Sequence, residues 1–303
     1  MGDCTLTLAI LTFNSEPFLA SLLLSVSDQA AKDIQVIISD DCSTDNTLDI
    51  INNWKSVYQH LFYEIIFITS PVNTGIVENY KRTFKFIKGE WTKGIAGDDL
   101  VYPTGVESFR QDIDKFKDSM IVIGKALLLR EGEKESPKIL IPKSEIINKL
   151  TSVEKIKNYL FEGNSIPAIT LLVKSEIFTK GNYFIHAKRN FEDLPFHLEL
   201  LSNNIHFSFS ENTYIIYRKH GKNLSSKDAN QILSSSFVDY QSILLKYAWI
   251  NNKWIYCINS FWNLVLGFVI VKCGNQGEIL KALNLFRRKL QPKRVKNMFI
   301  KPF

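Results

Sequence analysis

The chain has 303 residues, 45% of them hydrophobic and 22% charged, which excludes wholesale disorder and allows one large domain or two modest ones. Its four cysteines, Cys4, Cys42, Cys257 and Cys273, form no C-x-x-C pair, so a zinc ribbon and a disulfide scaffold are disfavoured and reduced thiols fit best. The formal charge of +6 is uneven: residues 272–303 hold nine Lys or Arg and one acidic residue, while the rest holds 28 basic and 30 acidic residues, so the body does not suit nucleic acid and the tail suits an anionic surface.

Met1–Cys4 has no basic n-region, and the apolar run Leu6–Phe13 lacks a cleavage site; it is expected to be a buried strand rather than a signal peptide. Apolar, β-branched runs predict parallel strands at Leu6–Thr12, Gln35–Ser39, Tyr63–Thr69 and Thr92–Ala96. Helix-period segments alternate with them at Glu16–Ser27, Thr47–Tyr58, Ile76–Lys88 and Pro103–Lys117. Asn14 or Ser15 can cap the first helix, Ser43 to Asp45 the second, and Pro103 suits a first turn. This alternation implies an α/β fold with crossover helices.

Met120–Leu129 predicts a further strand, and the charged stretch 130–138 a hairpin tip. A helix is expected over Lys143–Leu160, a strand over Ile169–Val173, a helix over Phe191–Leu201, and strands over Ile205–Ser210 and Thr213–Arg218. Beyond Gly221 the pattern is helical only: Asp228–Ala248, Lys253–Val271 and Gly277–Lys289. Trp254–Val271 is the nearest to a membrane span, but Asn259, Ser260 and Asn263 interrupt it. A soft boundary near residue 225 divides a domain of residues 1–225 from a basic helical region, 226–303.

In open parallel sheets, ligands bind beyond the carboxyl ends of the strands. The four predicted strand ends read Thr12-Phe13-Asn14, Ser39-Asp40-Asp41-Cys42-Ser43-Thr44-Asp45, Pro71-Val72-Asn73-Thr74-Gly75 and Gly97-Asp98-Asp99. Two adjacent carboxylate pairs at one sheet edge exceed what helix dipoles need, and they suit a hard cation with phosphate. Asp45 reads as a helix cap, and Asp40 as either a strand-end or a site residue. GxxxxGK[ST], GxGxxG and GxSxG are absent, which weakens NTPase, dinucleotide and hydrolase readings.

These motifs, in this order and spacing, resemble the family 2 glycosyltransferases over about residues 5–225. The resemblance implies a GT-A fold, a Rossmann-like nucleotide-sugar-binding domain, here followed by a mostly helical C-terminal extension. It implies that Thr12 and Asn14 line the nucleotide pocket, that Asp41 accepts a uracil or thymine N3–H, and that Asn73 and Gly75 sit against the nucleoside. Asp98 would touch the ribose or first phosphate, and Asp99, favoured over Asp98, would hold Mn2+ or Mg2+. Gly97 stands where many relatives have a third acidic residue. Asn190-Phe191-Glu192-Asp193-Leu194 resembles the family's Glu-Asp motif, with Asp193 the general base and Glu192 an acceptor contact or alternative base. Tyr217-Arg218-Lys219-His220, running on to Ser225, resembles the family's closing motif, with His220 near the metal or diphosphate and Arg218 and Lys222 adding positive charge.

The implied activity is inverting transfer from a UDP-sugar to a hydroxyl of a glycan, such as a lipid-linked oligosaccharide in surface polysaccharide synthesis, in the cytoplasm or peripherally on the inner face of the membrane. A sugar nucleotidyltransferase and a non-catalytic GT-A-fold binding protein are the rivals; the first lacks a Gly-rich, Arg/Lys-bearing triphosphate loop. His60, His186, His197 and His206 show no ligand spacing. Trp254, Phe261, Trp262 and Phe268 are expected to pack on the catalytic domain, or else to lie on a membrane beside Arg287, Arg288, Lys289, Lys293, Arg294 and Lys296.

Overall fold

The structure is a computed structural model, and it describes residues 3–130, 139–162, 165–181, 183, 193–221, 237–273 and 277–289. Four parallel strands carry the N-terminal half: β1 (Leu6–Thr12), β2 (Ile34–Asp40), β3 (Glu64–Thr69) and β4 (Trp91–Ala96). Helices α1 (Glu16–Ser27), α2 (Thr47–Tyr58) and α3 (Ile76–Phe84) connect them. β2 is buried along its whole length, as a strand covered on both faces must be, which explains its continuous apolar run. The order β3-β2-β1-β4 puts β1 between β2 and β4. Winding reverses there, and the ends of β1 and β4 flank the switch-point crevice where such sheets bind ligands.

After β4 come β5 (Leu100–Val101), α4 (Gly105–Lys115), β6 (Ile121–Arg130), β7 (Ile139–Ile141), α5 (Ser144–Ile147) and α6 (Val153–Phe161). Then follow β8 (Leu171–Lys174), α7 (Glu176–Thr179), α8 (Asp193–Ser202) and β9 (Phe207–Lys219). The sheet continues β4-β8-β6-β9-β5, with β8 antiparallel to β4 and β6, and β9 parallel to β6. β5 pairs antiparallel with β9, Leu100 opposite Ile216, which draws the turn after β4 against the end of β9.

Several boundaries differ from the sequence expectation. The two strands expected over 205–218 are one strand, β9. Ile123 faces Phe209 and Lys125 faces Thr213, so three residues, Ser210 to Asn212, are accommodated opposite Gly124 as a bulge. Asp112 of α4 fixes it: the carboxylate accepts from Ser210 Oγ (2.8 Å), Asn212 Nδ2 (3.0 Å) and Tyr214 Oη (2.5 Å). The helix expected over 143–160 is two helices, because Ser152 restarts the chain as a cap, its Oγ accepting the Lys155 N–H (3.3 Å). α3 ends at Phe84, and Pro103 lies two residues ahead of α4. The expected hairpin tip and residues 228–236 fall outside the described residues.

The last helices are α9 (Phe237–Ile250), α10 (Trp254–Lys272) and α11 (Glu278–Lys289). Ile243, Leu244 and Tyr247 of α9 share a core cluster with Ile156 and Leu160 of α6 and Leu198 of α8. Asp112→Ala should strand two buried hydroxyls, those of Ser210 and Tyr214, with the half-buried Asn212 amide, and destabilise the protein by about 2–4 kcal/mol in urea unfolding; a loss under about 0.5 kcal/mol would mean the bulge holds without it.

Candidate active site

The polar strand ends divide into groups that hold the crevice together and groups that face it. Asp40 is fully buried at the end of β2. Its Oδ1 accepts from Thr12 Oγ1 (2.8 Å) and Ser43 Oγ (2.5 Å), and its Oδ2 from the Ser43 N–H (2.8 Å). Asp40 therefore staples β1 to β2, and the Thr12 side chain, expected to line the pocket, is buried in that staple. Asp45 is a cap twice over: it accepts the N–H of Thr47 at the start of α2 and that of Glu16 at the start of α1 (both 3.1 Å). Asn14 is exposed and has left-handed backbone (φ 47°), which Asn tolerates; its Oδ1 accepts the Thr44 N–H (2.8 Å).

Asp41 was expected to accept the N3–H of a uracil or thymine ring. In this structure its Oδ1 accepts from Arg82 Nη2 (2.7 Å) and Thr74 Oγ1 (2.7 Å), and its Oδ2 from the N–H groups of Thr74 (3.0 Å) and Gly75 (2.7 Å). Burial alone would push this carboxyl up, but the hydrogen bonds from Arg82, Thr74 and Gly75 outweigh it and hold it below the usual carboxylate range. A base N–H reaching Asp41 would have to displace one of these donors. Gly75 supplies the positive φ (87°) that turns the loop into α3. Asn73 is exposed beside it.

The turn after β4 separates its two carboxylates. Asp99 is fully buried, and its Oδ1 accepts the Arg218 N–H (3.0 Å) while its Oδ2 has no hydrogen-bond partner. Burial, with Asp98 adding, pushes this carboxyl up to about 8, against the opposing pull of Arg218 and Lys93. The Asp98 side chain keeps 26% exposure, and its Oδ2 meets His220 Nε2 at 2.9 Å. Asp99, expected as the favoured metal ligand, is thus the buried carboxylate of the two, and Asp98 the accessible one. Gly97 has a packing reason, since a β-carbon there would come within 2.6 Å of Ser15 Oγ and 3.0 Å of the Leu11 carbonyl oxygen.

Arg218 was expected to add positive charge beside the metal or diphosphate. Its guanidinium donates to the carbonyls of Asp98, Phe18 (3.1 Å) and Asp99 (3.0 Å) and to Ser21 Oγ (2.8 Å). It anchors the acidic turn to α1. Phe18 completes the anchor, its ring stacked on His220 (centroids 4.4 Å apart) and 5.1 Å from the Arg218 guanidinium. Lys222 lies outside the described residues.

The Asp98 carboxylate is the kind of oxygen donor that Mn2+ and Mg2+ take, and the His220 imidazole beside it is a softer nitrogen donor that hard cations take less readily. Among the described residues no group of three or more His, Cys, Asp or Glu could hold a metal. Asp98 and His220 would therefore supply part of the shell, and phosphate and water the remainder, as is usual for Mg2+ at phosphate sites.

Asp193 begins α8, and its Oδ2 accepts the Ala168 N–H (3.3 Å). It lines a mainly apolar cavity of about 110 Å3, together with Leu11 and Ala96 at the ends of β1 and β4. Lys93, fully buried on β4, donates to the carbonyls of Ile169 and Leu171 and so ties the sheet to the turn that meets Asp193. Burial pushes its amine down to about 7, with Asp99 acting the other way. Glu192 lies outside the described residues. His197 is buried in the core, as its lack of ligand spacing suggested.

Arg82, Asn79, Phe18 and Lys93 were missed in the sequence. Arg82 and Asp41 are 41 residues apart, and only the adjacency of β1, β2 and α3 unites them. Asn79, whose Nδ2 donates to the Thr12 carbonyl (3.2 Å), sits one turn before Arg82 on α3; that i, i+3 pair was the one available signal. Because the folded Asp41 carboxyl lies below its unfolded value, it contributes stability present above about pH 4 and lost as pH falls through the folded value. Arg82→Ala should cost about 1–3 kcal/mol at pH 7. The gap to wild type in urea midpoints should narrow below about pH 4; a gap that does not change with pH would assign the loss to packing.

The sequence profile of Glycosyl transferase family 2 matches residues 7–161, over half of the chain. A dTDP-rhamnosyl transferase, RfbG, of Shigella flexneri is 24% identical over 255 residues, covering 80% of this chain and 79% of its own. The crystal structure of Staphylococcus aureus TarS residues 1–349 in complex with UDP-GlcNAc superposes with a TM-score of 0.61 at 15% identity, over 97% of this chain and 89% of that one. A Pyrobaculum calidifontis mannosyltransferase in complex with GDP-Man and Mn2+ gives a TM-score of 0.55 at 11% identity, over 100% of this chain and 89% of that one. These likenesses show the GT-A fold, and the profile match together with the strand-end motifs establishes that this chain belongs to the family 2 glycosyltransferases.

Proposed function

We propose that the chain is an inverting, metal-dependent glycosyltransferase that moves a sugar from a UDP-sugar to a hydroxyl of a glycan acceptor. The observation that carries this is Asp98, whose side chain keeps 26% exposure at the end of β4 with His220 Nε2 2.9 Å away, while Asp40, Asp41 and Asp99 are buried. Residues 1–225 would form the catalytic unit and 226–303 a basic helical region. Asn14, Asn73 and Gly75, on the loops after β1 and β3, would border the nucleoside. Asp98 and His220 would hold Mn2+ or Mg2+, which when bound offsets the charge of the leaving diphosphate.

Asp193 is the proposed general base. Its carboxylate takes the acceptor O–H proton, the freed oxygen bonds to the anomeric carbon, and the bond from that carbon to the diphosphate oxygen breaks. Attack from the face opposite the diphosphate inverts the anomeric configuration. The apolar cavity beside Asp193 favours this by limiting water, the competing acceptor. Glu192 is proposed as an acceptor contact or a second base. A UDP donor is favoured by the TarS complex with UDP-GlcNAc, while the name of the Shigella relative makes a dTDP-sugar the alternative. A surface polysaccharide under assembly, carried on a lipid, is the proposed acceptor, which would place the enzyme in the cytoplasm or at the inner face of the membrane.

Asp193→Asn should lower kcat by about 100-fold or more with UDP affinity unchanged by calorimetry; unaltered turnover would remove Asp193 from the reaction. In thermal melts, UDP at about 100 times its Kd should add about 2.7 kcal/mol of stability when Mn2+ is present. That shift should vanish in Asp98→Ala and persist in Asp193→Asn. A shift independent of both Mn2+ and Asp98 would refute the proposed metal site.

A further inference from the structure

Aromatic residues of α10, expected either to pack on the catalytic domain or to lie on a membrane, are exposed. Trp254, Ile258, Phe261, Trp262, Val265 and Phe268 are all exposed, four of them aromatic and each of those at least half exposed. Their spacing of three and four residues places them along one face of the helix. Trp249, at the end of α9, extends the face, its ring 5.0 Å from that of Trp254. The opposite face of α10, with Tyr256, Ser260, Asn263 and Gly267, is buried. Gly267 lies so near Phe237 of α9 that a β-carbon would fall 2.4 Å from its ring.

We infer that this face of α10 docks the protein on an anionic lipid leaflet, lying in the plane of the interface. By length and composition Trp254–Lys272 could cross a bilayer. Crossing would carry α9 with it, and the exposed Asp239 and Lys246 of α9 would then meet hydrocarbon. Lying flat, α10 buries its aromatic side at the headgroup level and keeps its polar side on the protein.

Charge selects the leaflet. The chain from Lys272 onward carries nine basic residues and one acidic residue. Lys272 itself is exposed at the end of the face, its ammonium 5.5 Å from the Phe268 ring. An anionic surface complements this segment, whereas a second copy of the chain offers the same excess of positive charge. The docking face is independent of the sugar transferred.

Flotation of the full chain with vesicles tests it, comparing phosphatidylcholine alone with phosphatidylcholine containing phosphatidylglycerol, at low and high salt. The protein should float with the anionic vesicles at low salt and be released by high salt. Phe261→Glu with Trp262→Glu should weaken binding by about tenfold or more with an unchanged melting temperature, since both side chains are exposed. Replacing Arg287, Arg288 and Lys289 by Gln should weaken binding to anionic vesicles alone. Failure to float at low salt, or equal flotation on neutral vesicles, would overturn the inference. So would a lipid-free dimer in sedimentation velocity that the Phe261 and Trp262 substitutions dissociate, because the face would then belong to a second copy.

Discussion

Two adjacent carboxylates at the end of β4 pose the electrostatic problem around which this crevice is built. Side by side and equally solvated, they would repel each other and leave the turn poorly defined. The fold gives them different surroundings: Asp99 is buried against the backbone of Arg218, and Asp98 stays accessible beside His220. The Arg218 guanidinium fixes the division by holding the carbonyls of both residues and reaching across to α1. The pairing of β5 with β9 is what delivers Arg218 and His220 to that turn, so the strand order decides which carboxylate is available.

The same economy of charge runs along the rest of the sheet edge. Asp40 joins β1 to β2, Asp41 locks the loop before α3, and Asp45 caps two helices. Much of this acid-rich edge is therefore engaged in hydrogen bonds within the protein. Such loops are ordered by charge-assisted hydrogen bonds and not by an apolar core, so they keep their geometry at a solvent-facing edge. Preorganisation of this kind lets a site receive a diphosphate without first rearranging its own dipoles.

Much of the fold was legible in the sequence because β1 to β4 and their helices are local patterns: α1, for instance, spans Glu16–Ser27 as its periodicity indicates. The site motifs were legible as a set of strand ends. Their division of labour was not. Nothing local distinguishes Asp98 from Asp99, and the distinction comes from β9, more than 100 residues later. The resemblance of Tyr217–Ser225 to the family's closing motif suggested positive charge from Arg218 near the diphosphate; that its guanidinium also holds the carbonyls of Phe18 and Asp99 is something sequence spacing does not reveal. The single strand β9 was read as two because its bulge depends on Asp112 of α4. Likewise the apolar run of α10 is equally compatible with burial and exposure until the position of α9 is known.

The central claim is that Asp98 and His220, rather than Asp99, form the protein's half of a metal–diphosphate site. Its most direct test is anomalous diffraction at the manganese edge from crystals grown with UDP and Mn2+. One strong peak beside Asp98 and His220 is expected, with Asp99 still bonded to the Arg218 N–H. A peak coordinated by Asp99, or one remote from His220, would contradict it.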